Sequence, residues 1–120
     1  MSYIYLASPY THEDEAVMEL RFVQVVDAAS YLISVRLLHV FSPIAHCHAL
    51  AVRHTLPRDA QFWNDYNYTF LKHAKQVCIL TIDGWQRSKG IQAEIQTARH
   101  LNIPIAFTQA PNYLLTNSAQ

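Results

Sequence analysis

Apolar residues along this chain fall into two alternating rhythms. Short and almost uninterrupted apolar runs occur at Tyr3 to Ala7 ("YIYLA"), in "LLHVFSP" ending at Pro43, in "QVCILTI" and in "IPIAFT". Runs this short, rich in aromatic and β-branched residues and stopped by proline or polar turns, predict strands. Between them, apolar residues recur three and four apart. Met18, Phe22, Val25, Ala29 and Leu32 form one such stripe and predict a long helix from about Asp14. The segment from Ile44 to Ala74 is helical in pattern but interrupted at Pro57, and a further helix is predicted from Ser88 to about Leu101. "QVCILTI" is apolar on both alternations, as expected of a central strand covered on both faces.

Strands alternating with helices predict a three-layer α/β/α sandwich of flavodoxin or Rossmann type. Its parallel sheet should have four to five strands joined by right-handed crossovers. Ligands of such folds sit beyond the carboxyl ends of the strands, at the point where strand order reverses. Three loops are thereby singled out: "SPYTHED", "SPIAHCH" and "DGWQRSKG".

Composition narrows the partner. The 120 residues suit one domain, and at 51% apolar content disorder is not expected. Formal charge sums to zero without any basic run, which leaves no electrostatic footprint for a nucleic-acid polymer or an anionic membrane, so a small molecule is expected. Cys47 and Cys78 are the only cysteines, and the start "MSYIYLASPY" lacks a secretory pattern, so a cytoplasmic chain with reduced thiols is expected. No apolar run is long enough to span a bilayer. The tail from about residue 110, ending "TNSAQ", reads as a loose end.

The helix in "IDGWQRSKGIQAEIQTARH" poses a question. Ile91, Ile95 and Ala98 form the stripe that should pack on the sheet, and Glu94 sits at the edge of that same face. An unpaired buried carboxylate is costly and needs donors or a chemical task. One turn earlier stands Gly90, where the missing side chain leaves room for a ligand, although glycine weakens a helix by about 1 kcal/mol relative to alanine. Ser88 is a good N-cap, and the free amides after it can take an anion. The competing reading is a solvated glutamate of the second turn.

Other residues carry double readings as well. Asp65, in "FWNDYNYTFLKHA", is either functional or a solvated helix position, and Asp59 suits a surface or capping role. "HCHALAVRH" offers His46, His48 and His54 as metal ligands on a strand or loop, which would make a metal-dependent hydrolase; on a helix, residues two apart do not converge. Substrate contact from a loop is the use expected of His46. Cys78, inside a central strand, should be buried rather than nucleophilic. Tyr5 and Tyr10 flank the first loop, Trp63 and Trp85 could stack on a base, and each aromatic has packing as its default.

In combination, "YLASPY", "FSPIAH" and "GWQRSKGIQAE", in this order and spacing, resemble the nucleoside 2-deoxyribosyltransferase-like superfamily. That superfamily includes the deoxynucleoside 5'-monophosphate N-glycosidases, and the resemblance runs from Tyr3 to about Thr108. It implies a nucleophilic glutamate at Glu94, four after Gly90. It implies an aspartate that assists departure of the base at Asp65, in "WNDY", and a strand-one tyrosine bonded to the nucleophile at Tyr5. Ser8, Tyr10, His46, Asp83, Trp85, Ser88 and Gly90 would contact substrate.

Deoxyribosyltransferases typically hold the sugar hydroxyl with an acidic residue six before the nucleophile. This chain has Ser88 there, as the monophosphate glycosidases do, and Arg87 and Lys89 beside it favour a phosphate. The long segment "SPIAHCHALAVRH" has no clear counterpart in either subgroup. The expected activity is therefore cleavage of an N-glycosidic bond in a nucleoside or nucleoside 5'-monophosphate, by hydrolysis or transfer and without a cofactor. The alternative is a pocket that senses a nucleotide without turning it over. The resemblance also implies a homo-oligomer in which a neighbour's chain end, at Asn112 or Asn117, closes the pocket.

Overall fold

The computed structural model describes residues 2–58 and 60–110. Among them the chain runs β1 (Ile4–Ala7), α1 (Glu15–Ser34), β2 (Val40–Phe41), α2 (Pro43–His54), α3 (Ala60–Leu71), β3 (Gln76–Leu80), a single 3-10 turn (Trp85–Arg87), α4 (Lys89–His100) and β4 (Ile105–Thr108). All strand pairs are parallel and the order is β2-β1-β3-β4, with Tyr5 opposite Val77 and Val77 opposite Ile105. This is the doubly wound sandwich expected, with four strands.

Alternation along the two central strands sorts the core. Ile4 and Leu6 of β1, with Cys78 and Leu80 of β3, pack on Val25, Ala28, Ala29 and Leu32 of α1. Tyr5, Ala7, Val77 and Ile79 point to the other face, against Leu71 of α3 and the Ile91, Ile95, Ala98 stripe of α4. Burial on both faces explains why β3 is apolar from Val77 to Leu80. The helices start where capping chemistry allows. Asp14 accepts from the amide of Ala16, Ser42 from Ala45 and Ser88 from Ile91, each satisfying an otherwise orphaned donor.

Element bounds differ from expectation mainly at β2 and α2. The strand is reduced to two residues because Ser42 and Pro43 at once begin α2, with proline in the first turn where its missing amide costs nothing. "PIAHCHALAVRH" is thus one continuous helix, ended at Thr55 in the left-handed conformation, rather than a loop bearing histidines. The expected loose tail, together with Asn112 and Asn117, lies outside the described residues, and so does Asp59. Among the described residues no helix is long and apolar enough to cross a membrane.

Candidate functional site

Strand order reverses between β1 and β3, and a cavity of about 520 Å³ opens there, within the range of small-molecule sites. Its wall comes from four places. Ser8, Tyr10 and Thr11 follow β1; Pro43, Cys47 and His48 are among the contributions of α2. Arg58, Trp63, Asn64 and Asn67 come from the α2–α3 connection and α3, and Arg87, Ser88, Lys89, Gly90 and Glu94 from the end of the 3-10 turn and the start of α4.

Glu94 and Tyr5 meet at this cavity. The Tyr5 hydroxyl, on a fully buried strand residue, donates to Oε2 of Glu94. Burial pushes the Glu94 carboxyl up to about 7, and the bond from Tyr5 holds it back part of the way. Burial raises Tyr5 as well, and the neighbouring carboxylate raises it further, so the phenol stays protonated and acts as donor. The misplaced carboxylate of α4 therefore has one partner behind it and open space beside it. Such a group, ionising near neutrality against a cavity, suits a nucleophile or base.

Three buried side-chain atoms among the described residues have no hydrogen-bond partner: Ser8 Oγ, Arg58 Nη1 and Asn67 Oδ1. All three belong to residues that line this cavity. Buried polar atoms are nearly always paired, so the cavity presents an unfilled polar pattern: a cationic donor, an amide acceptor and a hydroxyl. Arg87, Lys89 and the N-terminal amides of α4 add positive potential on the opposite wall.

The structure brings together some of the residues singled out by sequence and leaves others apart. Glu94, Ser8, Tyr10, Ser88 and Gly90 converge at the cavity, and Tyr5 bonds Glu94 from behind its wall. Asp65 is exposed and absent from the wall; its neighbours Asn64 and Asn67 line it instead. His46 is exposed and stacks on Tyr66, with 6.1 Å between ring centroids. Asp83 is also exposed, and Trp85 packs on Phe107 at 5.5 Å, beside a separate shallow hollow. Trp63 is the tryptophan on the main cavity. His46, His48 and His54 do not gather, and among the described residues no three His, Cys, Asp or Glu side chains cluster as a metal site. Cys78 is buried as expected, and burial raises its thiol above the usual range.

Arg58, Asn64 and Asn67 were not singled out by sequence, and His48 was considered only as a metal ligand. Their common signal is a polar residue on the inner side of a helix or of the turn before it. That signal is unreadable until the phase of α3 is known.

A doubly wound α/β protein with a polar cavity at its switch point is the class that fold and site define. The chain belongs to the family described as a domain of unknown function (DUF1937), whose pattern matches residues 2–109. No curated protein matches it.

Proposed function

We propose that this protein cleaves the N-glycosidic bond of a nucleoside or nucleoside 5'-monophosphate, with Glu94 as nucleophile. The observation that carries the proposal is the Tyr5–Glu94 pair at a cavity whose other walls hold unpartnered polar atoms. Cleavage passes through an oxocarbenium-like transition state. A carboxylate next to the anomeric carbon stabilises that charge and can capture it. One carboxylate oxygen of Glu94 bonds C1' as the bond from C1' to the base nitrogen breaks, and the electron pair leaves with the base. Water then displaces the carboxylate, giving the free sugar or sugar phosphate; a second base in place of water gives transfer.

Arg58, Arg87, Lys89, the Ser88 hydroxyl and the α4 amides favour a substrate carrying a phosphate. Trp63 offers a ring to the base, and Asn64 and Asn67 offer amides to its edge. Asp65 has no place in the cavity wall of the single chain, so the proposal rests on Glu94 and Tyr5 without it. That placement of Asp65 is also what favours the second reading, a pocket that holds a nucleotide without cleaving it.

Chromatography of free base released from a panel of deoxynucleosides, ribonucleosides and their 5'-monophosphates tests the proposal. Release confined to monophosphates supports a nucleotide N-glycosidase. Tight binding with no release from any member, even with an acceptor base added, favours the sensing pocket.

A further inference from the structure

Behind Tyr10 lies a chain of hydrogen bonds that the proposed use of Glu94 and Tyr5 leaves unexplained. The Tyr10 hydroxyl is 2.6 Å from Nδ1 of His48, and Nε2 of His48 is 3.0 Å from Oε1 of Glu19. His48 is buried, stacked on Phe22 with ring centroids 4.1 Å apart, while the Glu19 side chain is 55% exposed. A carboxylate only accepts, so Nε2 carries the proton toward Glu19, and in the neutral imidazole Nδ1 then accepts from Tyr10. Tyr10, His48 and Arg58 all line the cavity that holds Glu94.

The arrangement runs from water to cavity: an exposed carboxylate, a buried imidazole held in one tautomer, and a phenol on the cavity wall. A carboxylate that fixes an imidazole, which in turn accepts from a hydroxyl, is the pattern by which proteins make a hydroxyl able to exchange its proton. Packing alone would not require it, since an apolar trio would join α1, α2 and the loop after β1 without burying a polar ring. The parts also come from three separate segments, α1, α2 and the post-β1 loop, so their alignment is a product of tertiary structure.

We infer that Tyr10, backed by His48 and Glu19, is the base that activates the water which releases the sugar from Glu94. This rests on the glycosidase reading and assigns its second half-reaction. Water gives a proton to Tyr10 Oη as Tyr10 passes its own to Nδ1 of His48, and the water oxygen bonds C1' as the bond from C1' to Glu94 breaks. The Glu94 carboxylate is regenerated, the imidazolium is paired with Glu19, and the proton then leaves to solvent. Tyr10 is the catalytic group of the three, and His48 and Glu19 are positioning residues that act through it. Burial raises the Tyr10 phenol above its ordinary range and Glu19 and Glu15 add to this, while the Arg58 charge works the other way, so the phenol passes the proton through to His48 rather than holding a lasting negative charge.

The test measures the first turnover and the steady state separately, on a substrate from which the wild type releases base. Tyr10→Phe, His48→Asn and Glu19→Gln are compared with wild type, with circular dichroism to confirm the fold; Glu19 is exposed enough for its variant to fold even if the buried ones do not. Base release in the first turnover should fall far less than steady-state hydrolysis does. Steady-state hydrolysis should fall by roughly 10²-fold for Tyr10→Phe and His48→Asn, the usual worth of a general base. Glu19→Gln should lose less, and Glu19→Asp should recover part of the loss. Intact-mass spectra of the slow variants should show the sugar bound to the protein, lost on Glu94→Ala. Hydrolysis at the wild-type rate in folded variants, or equal loss of the first turnover and the steady state, would overturn the relay alone. A wild type that releases no base from any substrate would overturn the glycosidase reading and the relay with it.

Discussion

Tyr5 and Glu94 stand 89 residues apart in the chain, and the hydroxyl of one donates to the carboxylate of the other at the floor of the switch-point cavity. Strand β1 supplies the phenol from within the sheet and α4 brings the carboxylate over it. Neither residue is placed by its own segment: the contact exists because Tyr5 points to the face on which α4 packs.

The first consequence is a pH dependence of turnover. A nucleophilic Glu94 must be ionised, and its carboxyl is pushed up to about 7, so the rate should rise as pH passes through neutrality. Tyr5→Phe removes a donor that favours the ionised form, and the rise should move to higher pH. A pH–rate profile of both proteins checks this; coincident profiles would contradict it.

Stability should respond in the opposite sense. The folded carboxyl has a higher pKa than its ordinary 4.5, so the folded state holds the proton more firmly. The stabilisation is fully present below about pH 4.5 and is lost as pH rises through about 7, a difference of roughly 3 kcal/mol. Glu94→Gln removes this dependence. The variant should therefore be more stable than wild type near pH 8 and no more stable at low pH, as urea melts at the two values would show.

Fold and site were legible from the sequence to different depths. Strand and helix order followed from periodicity because β3 is buried on both faces and α1 and α4 on one, and each leaves its own rhythm. Glu94 was legible because a carboxylate beside an apolar stripe violates that rhythm. Asp65 and Asn64, by contrast, are one residue apart, about 100° around a helix, and only packing decides which faces inward. The same holds for exposed His46 and buried His48. Trp85 follows its default packing reading, because the 3-10 turn after Gly84 places its ring on Phe107 rather than on the cavity.

Gly84 itself is fixed by its surroundings. It has φ of +90°, and a Cβ there would lie 2.5 Å from Nη2 of Arg21. That guanidinium ties the loop after β1 to the loop after β3, through the carbonyls of Thr11 at 3.1 Å and Asp83 at 3.5 Å. Gly84→Ala should cost on the order of 1–3 kcal/mol in thermal or urea denaturation, from backbone strain at a positive φ, since the guanidinium end of Arg21 can shift aside. A melt indistinguishable from wild type would contradict this.

Gly90 should behave differently, since it lies in the first turn of α4 on the cavity wall. Gly90→Ala should raise helix stability by up to about 1 kcal/mol while weakening substrate, because the new methyl enters ligand space. Calorimetric melts and KM measured on one preparation would show opposite movements; a variant improved or unaffected in both would remove the reason given for glycine here.

Arg58 should report on the phosphate. Arg58→Ala is expected to raise KM for a 5'-monophosphate about tenfold or more and to leave KM for the matching nucleoside nearly unchanged, since a charge-assisted bond to phosphate is lost only in the first case. Equal effects on both would move Arg58 away from the phosphate.

The most direct measurement compares wild type with Glu94→Ala in free-base release from the same nucleoside 5'-monophosphates, with circular dichroism establishing that both are folded. Release by wild type and none by the variant is the expected result. Undiminished release by folded Glu94→Ala would contradict the assignment of Glu94 as nucleophile.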